Sequence, residues 1–391
     1  MVPIPMTRLF LALLLSAFSF TANSVNIVPS PPQVSAKAYI LIDANSGVVL
    51  AEKNADITLP PASLTKLMTS YVLSGEISAG RVKDTDMVVV SRNAWSQNPL
   101  FNGSSLMWIE PGMDVSISDL KRGVIISSGN DATVAVAEHL AGSVSAFADM
   151  MNGTAVALGM DGTHYVNPHG LPDPNHITTA RDLAILAIAL IQNFPEEYKV
   201  YKEREFTYNN IRQYNRNTLL AEDPSVDGLK TGYTKVAGYG MVTSAKRRDM
   251  RLVAVVLGTK SANTRKSESR SLLNYGFRFF ETLTYFSTLE ELEKPRIWKG
   301  QQDYLSVGVR DEVVLTLQRG KKKHLNTVVE VDKEISAPVA LGDKLGTVKL
   351  MLDGDVVEEV PLVALEAVEP GNFFARLWDV ILMWISSLFS V

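Results

Sequence analysis

The stretch Val226-Asp227-Gly228-Leu229-Lys230-Thr231-Gly232-Tyr233-Thr234 decides how this chain is read. From Leu229 to Thr234 it has the composition of a strand, and two more such runs follow, Gly240–Lys246 and Leu252–Leu257, with Arg247-Arg248-Asp249 as a turn between them. Three strands so close in sequence predict an antiparallel meander. The first carries Lys-Thr-Gly, a triplet that occurs once in the chain. Strict alternation would send Lys230 and Thr231 to opposite faces, so twist or a local bulge is required for both to serve one site.

Two polar clusters precede this strand. Ser63-Leu64-Thr65-Lys66 stands at the entrance to a helix whose apolar positions are Leu64, Leu67, Met68, Tyr71 and Val72, approached through Pro60 and Pro61. Ser128-Gly129-Asn130 interrupts a helical block that runs from Ser118 to about Ile126 and resumes from Asn130 through Leu140 to a stop at Gly142. Further helices are predicted near Phe147–Leu158, Ala180–Ile191 and Thr264–Thr282, and Thr179 with Asp182 resembles a capping box. Ahead of all these, Tyr39–Asp43 and Val48–Glu52 flank the turn residues Ala44-Asn45-Ser46-Gly47 and read as a hairpin.

A serine attacks an amide or ester carbonyl only if something takes its proton, and no histidine stands near Ser63 in sequence. Lys66, three residues on, shares its helix face. An unperturbed lysine, with a pKa of about 10.4, is neutral in only about one molecule in 2,500 at pH 7, so it must be tuned. Burial and a neighbouring cation both lower a lysine pKa, and Lys230 is the expected cation. Ser128 then relays a proton to the leaving amine while Asn130 and Lys230 hold the polar network. The backbone N–H groups of Ser63 and Tyr233 are the candidate oxyanion donors. Thr231 offers a hydroxyl to a substrate carboxylate, and Gly232 allows close approach of a ligand backbone. Ser-x-x-Lys recurs at Ser118–Lys121, where Ser118 reads as a helix cap, and Ser-x-Asn recurs at Ser24, Ser91, Ser96 and Ser261; only the ordered set is specific.

The ordered set is a known signature of penicillin-binding proteins and class A β-lactamases. With the longer stretches Pro61–Met68 and Val226–Thr234, this chain resembles the low-molecular-weight penicillin-binding proteins that are D-Ala-D-Ala carboxypeptidases. The resemblance implies an α+β fold, with an antiparallel sheet between helices and a helical subdomain. It also implies removal of the terminal D-alanine from peptidoglycan stem pentapeptides, an acyl-enzyme on Ser63, and capture by β-lactam antibiotics. From it Arg216 and Arg265 are expected to bind the terminal carboxylate, which suits arginine. Many relatives have histidine where this chain has Tyr233. A serine β-lactamase is the nearest alternative, but Met160–Thr178 holds no glutamate for a deacylating base. His164, His169 and His176 in that segment invite a zinc reading, which their spacing does not fit; no metal or other cofactor is expected. A catalytically slow penicillin-binding scaffold of wall or membrane is the non-enzymatic alternative.

Composition sets the surroundings. The chain has 391 residues, 46% apolar, a formal charge of −4 and no cysteine. Disulfides, thiolate chemistry and a basic nucleic-acid footprint are thereby excluded. Arg8, the apolar run Leu9–Phe20 and the small residues Ala22 and Ser24 predict a signal peptide over residues 1–24, with a membrane anchor as the alternative, and a linker over 25–35. The catalytic domain is expected over 36–284, and a small β-rich domain over 296–368, with Asp353-Gly354 as a hairpin turn. Arg319–His324 reads as a solvated hairpin turn. Residues 370–391 predict an amphipathic helix in the membrane plane, with Arg376, Asp379, Met383 and Ser386 or Ser387 on a polar stripe and Trp378 and Trp384 at the interface; a core-packed helix and a spanning anchor are alternatives. This places the protein at the periplasmic face of the cytoplasmic membrane.

Overall fold

A computed structural model describes residues 28–389, with side chains to 385. The expected signal peptide, the start of the linker and the side chains of Ser386 and Ser387 lie outside the described residues.

Strands β1 (Ala38–Asp43) and β2 (Val49–Lys53) form the predicted hairpin, turning at Gly47 with φ +75°. Helices α1 (Lys66–Ser78), α2 (Ile117–Arg122), α3 (Asn130–Ala141), α4 (Val144–Ala157) and α5 (Ala180–Asn193) follow. The meander is β3 (Val226–Thr234), β4 (Gly238–Arg247) and β5 (Met250–Thr259), and α6 (Ala262–Phe279) ends the run. All five strands form one antiparallel sheet in the order β2-β1-β5-β4-β3, which leaves β3 at an edge.

The two-residue side-chain period divides β5 between two layers. Val253, Val255 and Leu257 join a core containing Ile40, Leu64, Leu67, Leu183 and Leu186, whereas Leu252 and Leu41 face Gly276 of α6. A Cβ at Gly276 would lie 2.5 Å from Leu252, so the helix seats against the sheet only because that side chain is missing. Helices thus cover both faces, as the resemblance implies.

Helix starts follow capping chemistry. Thr179 accepts from the Asp182 N–H at 3.0 Å, while the Asp182 carboxylate accepts from Gly162 N–H instead of closing a capping box. The cap of α2 is Ser116, accepting from Asp119 N–H at 3.1 Å; Ser118, the expected cap, lies inside the helix and accepts from Arg122.

The change to β structure comes earlier than its expected place between Thr284 and Pro295. Helix α6 ends at Phe279, three residues before the predicted Thr282, and β6 (Phe280–Phe286) begins at once. It pairs antiparallel with β7 (Val313–Gln318), so 280–286 belongs with the β-rich region. A five-stranded sheet carries β8 (Leu325–Val331), β9 (Lys344–Leu352) and β10 (Asp355–Ala364), with Asp353 and Gly354, both at positive φ, turning β9 into β10. Phe286, Leu315 and Leu317 share a core with Val348, Leu350 and Leu362. Arg319–His324 is not a hairpin turn: β7 pairs with β6 and β8 with β9, so this segment crosses between sheets, with Lys321 and His324 both on Asp353.

The two regions are joined by side chains as well as by the continuous chain at Phe279–Phe280. Asp43, fully buried, accepts from the hydroxyls of Thr282 and Thr316, the latter at 2.8 Å, and Ser46 lies 2.6 Å from Thr316 Oγ1. Helix α7 (Phe373–Phe389) closes the described chain.

Candidate active site

The turn that carries Ser63 is built before α1 starts. Residues Ala62–Thr65 form one 3-10 turn and Lys66 is the first residue of the α-helix, so Ser63 and Lys66 fall on one side of the join. Ala62 has φ +50°, a left-handed value rare for a residue with a side chain. Two elements press on this turn. A Cβ at Gly170 would lie 1.8 Å from Ala62 O, and one at Gly232 would lie 3.0 Å from Pro61 O and 3.1 Å from Leu64 Cγ. Glycine at 232 is expected to admit a ligand backbone, and the packing of its strand against the turn that carries Ser63 is a second reason for it.

Lys66 is 1% exposed, and its Nζ meets three acceptors: Ser63 Oγ at 3.3 Å, Asn130 Oδ1 at 2.6 Å and His169 O at 2.8 Å. An ammonium has three protons for these three partners. When it loses one, the two shorter bonds to Asn130 and His169 use the remaining N–H groups, and the lone pair faces the serine hydroxyl. Burial, ahead of any neighbouring charge, brings the Lys66 pKa down to about 7; Asp131 opposes this and Arg216 assists. Arg216 therefore acts on Lys66 beside the expected cation, Lys230, whose charge is coupled to that of Lys66. Lys230, also buried, is itself held well below the ordinary lysine value, by burial first and then by Lys66.

The second motif sits where a helix is deliberately broken. Residues Gly123–Ser127 form a π turn after α2, and Ser128 closes it with φ +58° before α3 starts at Asn130. Asp131, next in sequence, is fully buried, and its carboxylate accepts from the N–H groups of Met107 (2.8 Å), Trp108 (2.8 Å), Ile109 (3.3 Å) and Ala132 (2.9 Å). It pins the segment that follows Asn102–Ser105, the far wall of the cleft, with Trp108 at φ +73°. Gly129 is confined by the same contact: a Cβ there would lie 2.6 Å from Asp131 Oδ1 and 2.8 Å from Met107 N. Burial raises the Asp131 pKa, against the lowering effect of these N–H groups.

Strand β3 supplies the third wall. Its pairing with β4 is regular from Gly228 to Thr234, and the one bulge lies before it, between Val226 and Gly228. No bulge at Lys230-Thr231 is needed: Thr231 lines the cleft, while the Lys230 side chain lies buried beside Lys66. Tyr233 is 49% exposed and its ring centroid is 4.2 Å from that of Tyr239. Arg265 of α6 donates to Gly232 O at 2.9 Å and lies over the Tyr239 ring; burial lowers its pKa to about 10.

One cleft of about 480 Å³ is lined by Ser63, Ser128, Asn130, Arg216, Thr231, Gly232, Tyr233 and Arg265, with Lys66 and Lys230 behind its surface. Among the described residues, none of Lys66, Lys230, Arg216 and Arg265 forms an ion pair with a carboxylate. Four basic groups around the Ser63 hydroxyl suit an anionic ligand whose carboxylate meets the guanidinium groups. The loop histidines have other work. His169 gives its carbonyl to Lys66 and accepts from Leu171 N–H, His176 binds Val166 and Thr65, and His164 lies 2.9 Å from Asn175 O. Asp131 and His176 escape a motif reading, although Asp131 directly follows Asn130.

The geometry agrees with what the chain is similar to. A family model described as D-alanyl-D-alanine carboxypeptidase matches residues 25–261, and one described as the C-terminal domain of penicillin-binding protein 5 matches 280–370. The D-alanyl-D-alanine carboxypeptidase DacA of Escherichia coli K12 is 45% identical over 378 residues, covering 96% of this chain and 94% of the relative. The crystal structure of penicillin binding protein 5 from Haemophilus influenzae is similar at a TM-score of 0.83 and 41% identity, covering 87% of this chain and 99% of that one. Penicillin-binding protein D2 from Listeria monocytogenes, in its ampicillin-bound form, is similar at a TM-score of 0.56 and 28% identity over 64% of this chain and 100% of its own. From the nucleophile turn to the β-rich region, this chain belongs to the D-alanyl-D-alanine carboxypeptidase family.

Proposed function

We propose that the protein removes the terminal D-alanine from peptidoglycan stem pentapeptides by way of an acyl-enzyme on Ser63. The observation that carries the assignment of roles is the three-partner environment of Lys66, which leaves a lone pair on the serine at neutral pH. Lys66 takes the Ser63 proton as Oγ attacks the amide carbonyl between the two D-alanines. The Ser63 and Tyr233 N–H groups receive the developing oxyanion. Arg216, Arg265 and Thr231 bind the free carboxylate of the last residue. Ser128, with Asn130 and Lys230 around it, passes a proton to the departing amine; water then releases the shortened peptide. A β-lactam is attacked in the same way, but its leaving nitrogen remains tethered to the acyl group.

The test is mass spectrometry after reaction with a labelled penicillin, beside turnover of a D-Ala-D-Ala peptide. The adduct is expected on Ser63, and both the adduct and turnover vanish in Ser63→Ala. Lys66→Ala is expected to abolish acylation while leaving the fold intact; near-normal acylation would reject the lysine as base.

We further propose that the protein is exported and held at the outer face of the cytoplasmic membrane by α7. Among the described residues no helix is long and apolar enough to cross a membrane. Phe373, Phe374, Leu377, Trp378, Ile381 and Trp384 are exposed on α7, which supports a helix lying in the interface. Asp379, expected on the polar stripe, instead turns inward: it accepts from Lys299 N–H at 2.6 Å and pairs with Arg296 at 3.3 Å, so it docks the helix on the β-rich region. Attachment is mainly apolar, and the protein is expected to stay on phospholipid vesicles in high salt. Release by salt alone contradicts this placement.

A further inference from the structure

The left-handed residue beside the nucleophile is held by a directed chain of hydrogen bonds that starts in the loop packed against its turn. His176, 2% exposed, has Nδ1 placed to accept the Val166 N–H at 2.9 Å. An imidazole nitrogen that accepts is unprotonated, so in the neutral ring the proton is on Nε2. Nε2 lies 2.7 Å from Thr65 Oγ1 and donates to it. Thr65, fully buried, must then direct its own proton elsewhere, and Ala62 O accepts it at 2.8 Å. Each member of the chain has one role left by the member before it. The chain ends on the carbonyl of the residue that precedes Ser63, whose φ of +50° is unfavourable for a side-chain-bearing residue without support.

The surroundings leave His176 little freedom. The Tyr165 ring meets it edge-on at a centroid distance of 5.7 Å, and Gly170, in the same loop, packs against Ala62 O. This loop also supplies His169 O to Lys66. The base and the nucleophile are thus both located relative to one segment, the base by a carbonyl and the nucleophile through His176 and Thr65.

We propose that His176 is a positioning residue for acylation, fixing Ser63 Oγ against Lys66 through Thr65 and the Ala62 carbonyl without touching substrate. This inference rests on Ser63 being the nucleophile. It predicts that the donor and acceptor pattern at 176 matters, not the ring. Glutamine can accept from Val166 with its carbonyl and donate to Thr65 with its amide; phenylalanine fills the space and does neither.

The experiment compares full-length wild type with His176→Gln, His176→Phe, Thr65→Ser and Thr65→Val, measuring the rate of acylation by a labelled penicillin and kcat and KM on a D-Ala-D-Ala peptide. His176→Gln and Thr65→Ser are expected within about threefold of wild type. His176→Phe and Thr65→Val are expected to lose about 10–100-fold in acylation rate and kcat, with KM nearly unchanged because the arginines are untouched. A folded His176→Phe that acylates at the wild-type rate overturns the proposal, as does a His176→Gln as slow as the Phe variant. Where Phe at 176 disturbs folding, Thr65→Val against Thr65→Ser decides by the same criterion. Wild-type label found on a residue other than Ser63 would instead overturn the underlying reading of the nucleophile.

Discussion

At the scale of single residues, the proposed role of Lys66 as a base near neutral pH depends on the fold taking it out of water. The consequence for pH dependence has a definite sign. With a Lys66 pKa of about 7, the neutral, proton-accepting form grows as pH rises through 7 and falls about tenfold per unit well below it. Acylation by a labelled penicillin, followed from pH 5 to 8, is therefore expected to rise and level off just above 7; a rate flat across that range would mean that Lys66 is not the base. Much of this was legible in the sequence, because Ser63 and Lys66 are three residues apart and local spacing alone puts them on one face. The second cation near Lys66 was not. Lys230 was expected from its motif and is coupled to Lys66, but Arg216 also acts on Lys66, from a loop whose placement depends on tertiary packing. His176 was hidden for the same reason: it reaches Thr65 across 111 positions of sequence.

At the scale of elements, the site is made where regular structure ends: a 3-10 turn leading into α1, a π turn leading into α3, and an edge strand. The helices and the meander could be read from periodicity, and their ends were misplaced by only a few residues. The far wall, Asn102–Ser105, has no such pattern, and the Met107–Ile109 segment that follows it is held by one carboxylate. Asp131→Ala removes the acceptor of three loop N–H groups at once. At about 1–3 kcal/mol for each buried group left without a partner, the variant is expected to lose on the order of 3 kcal/mol or more in a denaturant titration. Its acylation rate should fall as well, since Asn130 N–H bonds to Ser105 O in the same wall. A variant as stable as wild type would show that the loop holds its shape without Asp131. The early start of the β-rich region was obscured because Phe279 and Phe280 continue the aromatic run of the helix, and the pairing partner of 280–286 lies about 30 residues further on.

At the scale of the molecule, the β-rich region is bound to the catalytic one by a helix that passes into a strand without a linker and by the buried carboxylate of Asp43. Removing both hydroxyls, as Thr282→Val with Thr316→Val, leaves that carboxylate buried with fewer donors. Solution scattering is expected to show a broader range of sizes for the double variant, while kcat and KM on a soluble peptide stay within about twofold of wild type. An unchanged scattering curve would mean that the direct passage from α6 to β6 is sufficient alone. At the other end of the β-rich region, Asp379 fastens α7 in a similar way. With α7 resting on a bilayer as proposed, the two fastenings make the β-rich region a stand-off of set height rather than a tether. The enzyme would then trim only those peptides that hang at one depth in the wall, and an insertion that lengthened the post would shift that depth without altering the chemistry.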